Sequence, residues 1–305
     1  MDPRNFYPTG EEVDKWAESI YRLGLDGARG EEIMPWDETY IHPGNFHQPQ
    51  MAFVRFSTTY SADFYALWQP TLKTPAPLIV HVPGYGAEMS MHPALVDRGY
   101  HVLHICPLGY VTPNGRDTGK LDADGDWPVL PDTIRTGGKE GYRFWLANCV
   151  QAIEWAKKRQ EVLPERLSFM GTSQGGGGAL LLASVYKDKN VRCVGADVPF
   201  LTNHPMVVGQ GAYRHTKVGL VSSKDEKLAW HGTGLVDTTS HLHRLRGVPI
   251  LITAGGKDTV CPPETIRMLH ESITWDCAFY FMENMTHRYT PPFLKLFEAW
   301  LEIYA

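Results

Sequence analysis

The sequence predicts an α/β fold in which a mostly parallel central sheet carries helices on both faces, preceded by an N-terminal extension and antiparallel first strands. Two observations carry that expectation. From Pro77 onward, short apolar runs alternate with segments of helical character, the order expected of successive strand–helix units. In the middle of this alternation the apolar run Leu167-Ser168-Phe169-Met170 leads straight into Gly171-Thr172-Ser173-Gln174-Gly175 and then into a helix-forming run. Strand, sharp turn and helix follow one another there with nothing between them.

The elements can be justified in order. Residues 1–50 carry many turn formers, one helical pattern from about Glu11 to Leu23, and no evident strand, and read as a wrap on the main domain. Residues 51–56 and 64–68 are strand candidates joined through Ser61-Ala62-Asp63, an expected antiparallel pair. Strands are expected at 78–82 and 101–105, with a helix near 91–97 between them. A long irregular segment, 107–139, then leads into a helix from about Tyr142 to Lys158. In that helix Trp145, Leu146, Cys149, Ile153 and Trp155 recur mostly at three- and four-residue spacing. A strand at 166–170, a helix from Gln174 to about Tyr186 and a strand at 191–197 follow. After an irregular stretch, 200–220, within a candidate lid or insert spanning 200–248, the closing elements are strands at 249–253 and 277–281 and helices at 264–271 and 293–303. No composition break marks a second domain and no repeat is visible, so residues 1–305 read as one domain.

Bulk properties exclude several classes. The chain has 305 residues, 43% apolar and 21% charged, which is ordinary for a globular enzyme and unlike a disordered segment. A formal charge of −5 with no basic stripe argues against a nucleic-acid partner. No apolar run reaches the length of a membrane span, and the N-terminus lacks the basic and apolar regions of a secretory signal, so a cytoplasmic location is expected. The five cysteines (Cys106, Cys149, Cys193, Cys261 and Cys277) are widely spaced, without a C-x-x-C pair, and read as buried free thiols.

The chemistry centres on Ser173. A serine on a sharp strand-to-helix turn, flanked by glycines that let the two arms pass, is pushed clear of the sheet where a base can reach it. A serine hydroxyl needs such a base, and the base needs a carboxylate to fix its tautomer. Asp258 follows the strand 249–253 across Ala254-Gly255-Gly256-Lys257, and His287 follows the strand 277–281 across 282–286. Both fall just past the carboxyl ends of strands, where open parallel sheets bind ligands, and the order Ser, Asp, His is that of α/β-hydrolases. Singly, each has a plain structural alternative: a glycine-flanked turn, a helix cap, a surface histidine. Their joint register with strand ends favours a triad. The oxyanion hole would then draw on the backbone amide of Gln174 and on that of Tyr85 in the turn Pro83-Gly84-Tyr85-Gly86.

Four stretches together resemble carbohydrate esterase family seven, the acetyl xylan esterase and cephalosporin C deacetylase family of α/β-hydrolases. They are Gly84-Tyr85-Gly86, Gly171-Thr172-Ser173-Gln174-Gly175-Gly176, Asp197-Val198-Pro199-Phe200 and Asp258-Thr259-Val260-Cys261-Pro262-Pro263-Glu264. The similarity spans residues 51–305. It implies Ser173 as nucleophile, His287 as general base, Asp258 as orienting acid, and Tyr85 and Gln174 as oxyanion donors. Tyr85 and Pro199 would wall a small acyl pocket. By that resemblance the chain removes short acyl groups, acetyl foremost, from a carbohydrate or similar alcohol through an acyl-enzyme, with no cofactor. Its partner is a small ester or acetylated saccharide, and the family's ring-like homo-oligomer is one assembly open to it. Two positions depart from the family: Leu108-Gly109-Tyr110 stands where it carries Arg-Gly-Gln, and Arg288 where it carries Glu. The alternatives are a peptidase or amidase of the same fold and a non-catalytic binding protein built on it.

Other motifs read as structural. His101 and His104 point to opposite faces of a strand, and His241 and His243 do not share a helix face, so neither pair is expected to bind metal. Asp122-Ala123-Asp124-Gly125-Asp126 has its glycine too early for a calcium loop. The four glycines 175–178 lack the Gly-Lys-Ser/Thr of a phosphate loop. Close helix–strand packing accounts for the first two and leaves Gly177 and Gly178 unexplained.

Overall fold

The computed structural model describes residues 2–35, 37, 50–85, 90–288 and 291–305. After a short helical turn at Pro3–Phe6, helix α1 (Gly10–Asp26) starts on Thr9. The Thr9 hydroxyl accepts from the Glu12 amide while the Glu12 carboxylate accepts from the Thr9 amide, satisfying two donors that the first turn leaves free. Strand β1 (Ala28–Pro35) then pairs antiparallel with β2 (Ala52–Thr58). This strand corrects the expectation of none in residues 1–50. It is an edge strand with most of its residues exposed, so no apolar alternation betrays it; the ladder with β2 holds it.

Strand β3 (Phe64–Gln69) pairs antiparallel with β2, as expected. Strand β4 (Ala76–Val82), helix α2 (Pro93–Arg98) and strand β5 (His101–Cys106) open the parallel part. The stretch 107–139 is more regular than its sequence suggests. It holds a two-residue ladder between β6 (Val111–Thr112) and β7 (Gly115–Arg116), and a helix, α3 (Val129–Arg135). Helix α3 is short, contains Pro131 and buries five of its seven residues, so it carries no polar face against which a stripe could be read.

Helix α4 (Tyr142–Lys157), strand β8 (Val162–Thr172), helix α5 (Gln174–Val185) and strand β9 (Val191–Asp197) fall where predicted. The following stretch is helical rather than irregular: α6 (His204–Val207), α7 (Arg214–Ser222), α8 (Glu226–Val236) and α9 (Leu242–Leu245). Gly209 and Gly211, both at positive φ, break α6 from α7 and hide the helical pattern. Strand β10 (Ile250–Gly255), helix α10 (Pro263–Glu271), strand β11 (Cys277–Met282) and helix α11 (Pro291–Tyr304) close the chain.

The sheet runs β1-β2-β3-β5-β4-β8-β9-β10-β11. Its β1, β2, β3 and β5 neighbours pair antiparallel, and the rest, from β5 to β11, pair parallel. Successive strand residues face opposite sides. Val80, Val82, Phe169 and Ile252 thus meet Trp145 of α4 and Leu180 of α5 on one face. Ile79, Val102, Met170 and Leu251 meet Leu95 of α2 and Phe293, Phe297 and Leu301 of α11 on the other. Each fully buried large apolar side chain contributes about 1.5–3 kcal/mol. All twelve residues of α5 are buried, which places this helix at the centre of its layer. A Cβ at Gly177 would overlap the Phe200 carbonyl, and one at Gly178 would lie 2.8 Å from the Trp145 ring. Those contacts supply the reason for the second pair of glycines. The five cysteines are free, and burial raises the Cys193 thiol to about 12. Among the described residues no helix is long and apolar enough to cross a membrane.

Candidate active site

Ser173 sits between β8 and α5 at φ 59° and ψ −118°, a backbone conformation that costs a non-glycine residue roughly 1–3 kcal/mol. Three hydrogen bonds hold it there. Its amide donates to the Asp197 carbonyl at 2.8 Å, and its carbonyl accepts from the amides of Phe200 at 2.9 Å and Gly177 at 3.1 Å. The turn also needs glycines. A Cβ on Gly171 would overlap Gly175, one on Gly175 would overlap the Val82 carbonyl, and one on Gly176 would lie 2.8 Å from the Asp197 carbonyl. Strands β4 and β9 and the first turn of α5 therefore converge on the serine at backbone distance.

Asp258 and His287 come from the turns after β10 and β11, as the sequence predicts, and the two turns are laced together. Gly256 donates to the Met282 carbonyl and Lys257 to the Met285 carbonyl, both at 2.8 Å. Asp258 Oδ2 lies 2.7 Å from His287 Nδ1, and His287 Nε2 lies 2.9 Å from Ser173 Oγ. The other carboxylate oxygen, Oδ1, accepts from the amides of Val260 and Cys261 at 2.8 Å each, bracing the turn ahead of α10. The helix itself starts on Pro262 without a side-chain cap, so the helix-cap alternative for Asp258 does not hold. A carboxylate can only accept, so His287 Nδ1 carries the proton and Nε2 presents its lone pair to the serine hydroxyl. The Asp258 side chain is fully buried while that of His287 is 18% exposed: the carboxylate is sealed and the imidazole can be reached.

Gln174 is the first residue of α5, so its amide has no acceptor within the helix and points outward along the axis. Its side chain is pinned by the Tyr142 hydroxyl, which donates to Oε1 at 2.9 Å. Tyr85 follows Gly84, where a Cβ would lie 3.4 Å from the Thr172 carbonyl, so the turn passes close to the end of β8. Gly86 lies outside the described residues. The Tyr85 hydroxyl accepts from the Trp127 amide at 2.6 Å and lies 3.2 Å from the Trp127 carbonyl, and its ring stacks on His215 at 4.8 Å. Burial, with Asp126 nearby, raises the Tyr85 phenol above its ordinary range. Pro199 lies against α5, its Cα 3.1 Å from a Cβ placed on Gly176.

Sequence reasoning missed several supporting residues. The buried carboxylate of Asp197 accepts from the hydroxyls of Thr172 at 2.9 Å and Thr253 at 2.5 Å, tying the ends of β8, β9 and β10 beside the serine. Asp197 already stood in one of the family-like stretches, and an aspartate at the carboxyl end of a strand next to the serine strand was the available signal for this role. The stretch 107–139 is anchored to the site by Trp127, which stacks on Tyr110 at 4.3 Å as well as bonding Tyr85. Leu108, at φ 60°, has its carbonyl and that of Gly109 capped by Lys120 Nζ, each at 3.0 Å, so a cation from farther along the chain occupies this turn. Arg288 is exposed. In the acidic loop, Asp122 Oδ1 accepts from the amides of Asp124 and Asp126, and Asp126 pairs with Arg214 at 3.0 Å.

The histidine pairs singled out in the sequence separate as expected. His101 accepts from the Thr71 amide and bonds the Glu161 carbonyl, on the opposite side of β5 from His104. His104 instead meets His81 and His92, a grouping that no local pattern announces. Burial pushes His81 well below its ordinary range and His92 to about 4.

A mostly parallel sheet with helices on both faces, and a serine, a histidine and an aspartate hydrogen-bonded in line on its carboxyl side, define an α/β-hydrolase. The sequence profile of the acetyl xylan esterase (AXE1) family matches residues 38–302, and the chain belongs to that family. Among solved structures, acetyl xylan esterase 1 from Thermoanaerobacterium sp. JW/SL YS485 superposes with a TM-score of 0.78 at 19% identity, over 98% of this chain and 95% of that one. An acetyl xylan esterase from Paenibacillus sp. R4 gives 0.75 at 16% identity over 100% and 99%. Acylaminoacyl peptidase from Pyrococcus horikoshii gives 0.58 at 15% identity, over 82% of this chain and 40% of that one. No curated protein matches the sequence.

Proposed function

We propose that this chain is a serine carboxylesterase that removes short acyl groups, acetyl foremost, from a carbohydrate or similar alcohol. The observation that carries the reading is the hydrogen-bonded line from Ser173 Oγ through His287 to Asp258, at 2.9 and 2.7 Å, built on a serine in a strained turn. His287 Nε2 takes the hydroxyl proton as Ser173 Oγ attacks the ester carbonyl. Asp258 holds the tautomer and stabilises the imidazolium that forms. The amides of Tyr85 and Gln174 bind the oxyanion of the tetrahedral intermediate, a contribution worth roughly 3–4 kcal/mol per donor in comparable sites. His287 then protonates the leaving alcohol, and water, deprotonated by the same imidazole, releases the acid from the acyl-enzyme.

The acetyl assignment rests on the family and on the proximity of Pro199 and the Tyr85 turn to the serine. A fluorophosphonate probe should label the wild-type chain and leave Ser173→Ala unlabelled. Hydrolysis of p-nitrophenyl esters should fall as the acyl chain lengthens past a few carbons, and acetylated xylan oligomers should be deacetylated. A folded wild type that takes no label overturns the esterase reading in favour of a binding protein. Preference for long acyl chains overturns the acetyl assignment alone.

A further inference from the structure

We infer that His81, His92 and His104 form a binding site for one divalent transition-metal ion of the zinc class, a structural clamp at the root of the Tyr85 turn. His81 on β4 and His104 on β5 are direct partners in the parallel ladder, and His92 precedes α2 on the connection between those strands. One ring nitrogen from each lies within 4.8 Å of the other two, and among the described residues this is the one cluster of its kind. All three are buried, at 5%, 4% and 0% exposure. They share the face of the sheet that carries Ile79 and Val102, opposite to Val80 and Val82.

Packing alone does not account for them. His92 Nε2 is sealed from solvent and has no hydrogen-bond partner. Native chains seldom leave a buried polar atom in that state without a ligand or a strain to explain it. The ring is also deliberately placed: the buried Gln69 accepts from the His92 amide at 2.8 Å and donates to the Ser90 carbonyl at 3.1 Å, gripping the chain on both sides of Met91. The His92 ring then sits edge-on to His81, with centroids 4.4 Å apart. His81 and His104 approach Nδ1 to Nδ1 at 2.5 Å, a contact that pairs these two and leaves His92 aside. A leucine at position 92 would pack against this mostly apolar layer without the desolvation cost that an imidazole carries.

The donor set chooses the ion. Three imidazoles with no carboxylate among them suit zinc, copper, nickel or cobalt, and not magnesium or calcium. Zinc–nitrogen bonds of about 2.0–2.1 Å place the corners of a tetrahedral site about 3.4 Å apart. From the 2.5 Å Nδ1–Nδ1 contact and the 4.8 Å span of the three ring nitrogens, shifts of roughly an ångström reach that geometry. His81 and His104 part, the wider spacings draw in, and the fourth position is left for water. The ion would cross-link β4, β5 and the start of α2, and takes no part in ester hydrolysis.

The test uses the full chain and does not depend on activity. Chelator-treated wild type titrated with Co2+ should show the visible d–d bands of four-coordinate cobalt, saturating at about one ion per chain. Zn2+ should compete the bands away and raise the thermal midpoint. His92→Ala should lose both responses, and His92→Gln, which keeps a polar side chain of similar reach, serves if the alanine variant does not fold. Wild type with neither bands nor a zinc-dependent midpoint overturns the proposal. So does a His92 variant that responds as wild type does, because the metal then sits on other histidines.

Discussion

Acid should weaken this fold through histidines it keeps neutral, and His241 allows the effect to be worked out in full. The ring is wholly buried in the described structure. Nε2 donates to the Leu235 carbonyl at 2.9 Å and Nδ1 accepts from the Ser184 hydroxyl at 2.7 Å. Both nitrogens are satisfied in the neutral form, and a second proton would oblige the Ser184 hydroxyl to turn from donor to acceptor and would place a charge in a sealed site. Burial first, and the nearby Arg244 after it, push His241 down to about 4 from 6.5, against the opposing pull of the Leu235 bond. Above pH 6.5 the imidazole is neutral folded and unfolded, and the full stability is present. Below that the unfolded chain binds a proton that the folded chain refuses. Stability is therefore lost at up to about 1.4 kcal/mol per pH unit, levelling off below about pH 4. At pH 5.5 the loss from this one residue is about 1.4 kcal/mol. Urea unfolding of wild type and His241→Gln at pH 7.5 and 5.5 isolates it. The variant starts lower by about 1–3 kcal/mol from its altered hydrogen bonds, but should lose about 1.4 kcal/mol less than wild type on acidification. Equal losses in the two proteins would refute the argument.

Three further outcomes are expected. Asp258→Asn should leave the fold intact and lower kcat by roughly 10⁴-fold, the order seen when the carboxylate of a Ser-His-Asp triad is neutralised; circular dichroism and steady-state hydrolysis of p-nitrophenyl acetate check the two halves. Gly177→Ala places a methyl on the Phe200 carbonyl, and Phe200 holds the Ser173 carbonyl through its amide; about 1–3 kcal/mol of stability should go, and kcat should fall with it, where an unchanged kcat would detach this contact from the serine turn. Tyr85→Phe removes the hydroxyl that accepts from the Trp127 amide at 2.6 Å and so loosens the 107–139 stretch, the segment beside the site long enough to contact a saccharide; KM for an acetylated saccharide should rise while p-nitrophenyl acetate turnover changes little, and equal effects on both substrates would show that this stretch does not contact the saccharide.

Legibility from sequence followed the range of the contacts. Ser173, Asp258 and His287 could be placed because each follows a strand by a short turn, so knowing the strands nearly fixes the three side chains. The parallel strands and the amphipathic α4 announced themselves by composition and period. Strand β1 did not, because its partner ladder holds it and it buries little. Helix α3 did not, because burial on most sides erases a stripe. The grouping of His104 with His81 and His92 was hidden for a different reason. It depends on the register of β4 against β5 and on where residues 90–92 return to the sheet, neither of which any single stretch of sequence encodes.

The glycines around Ser173 gain a common explanation from this distinction. Each of the four in 175–178 addresses a different neighbour: Gly175 the Val82 carbonyl on β4, Gly176 the Asp197 carbonyl on β9, Gly177 the Phe200 carbonyl, and Gly178 the Trp145 ring on α4. A run of four would be expected to loosen a helix by roughly 1 kcal/mol per residue. Here it lets strand ends, a loop and a facing helix reach the first turn of α5 at backbone distance. Those same neighbours supply the Asp197 carbonyl and Phe200 amide that hold Ser173 in its strained conformation. Loss of local helix propensity and rigidity of the Ser173 turn are therefore two effects of one packing arrangement, and the Gly177→Ala experiment separates them.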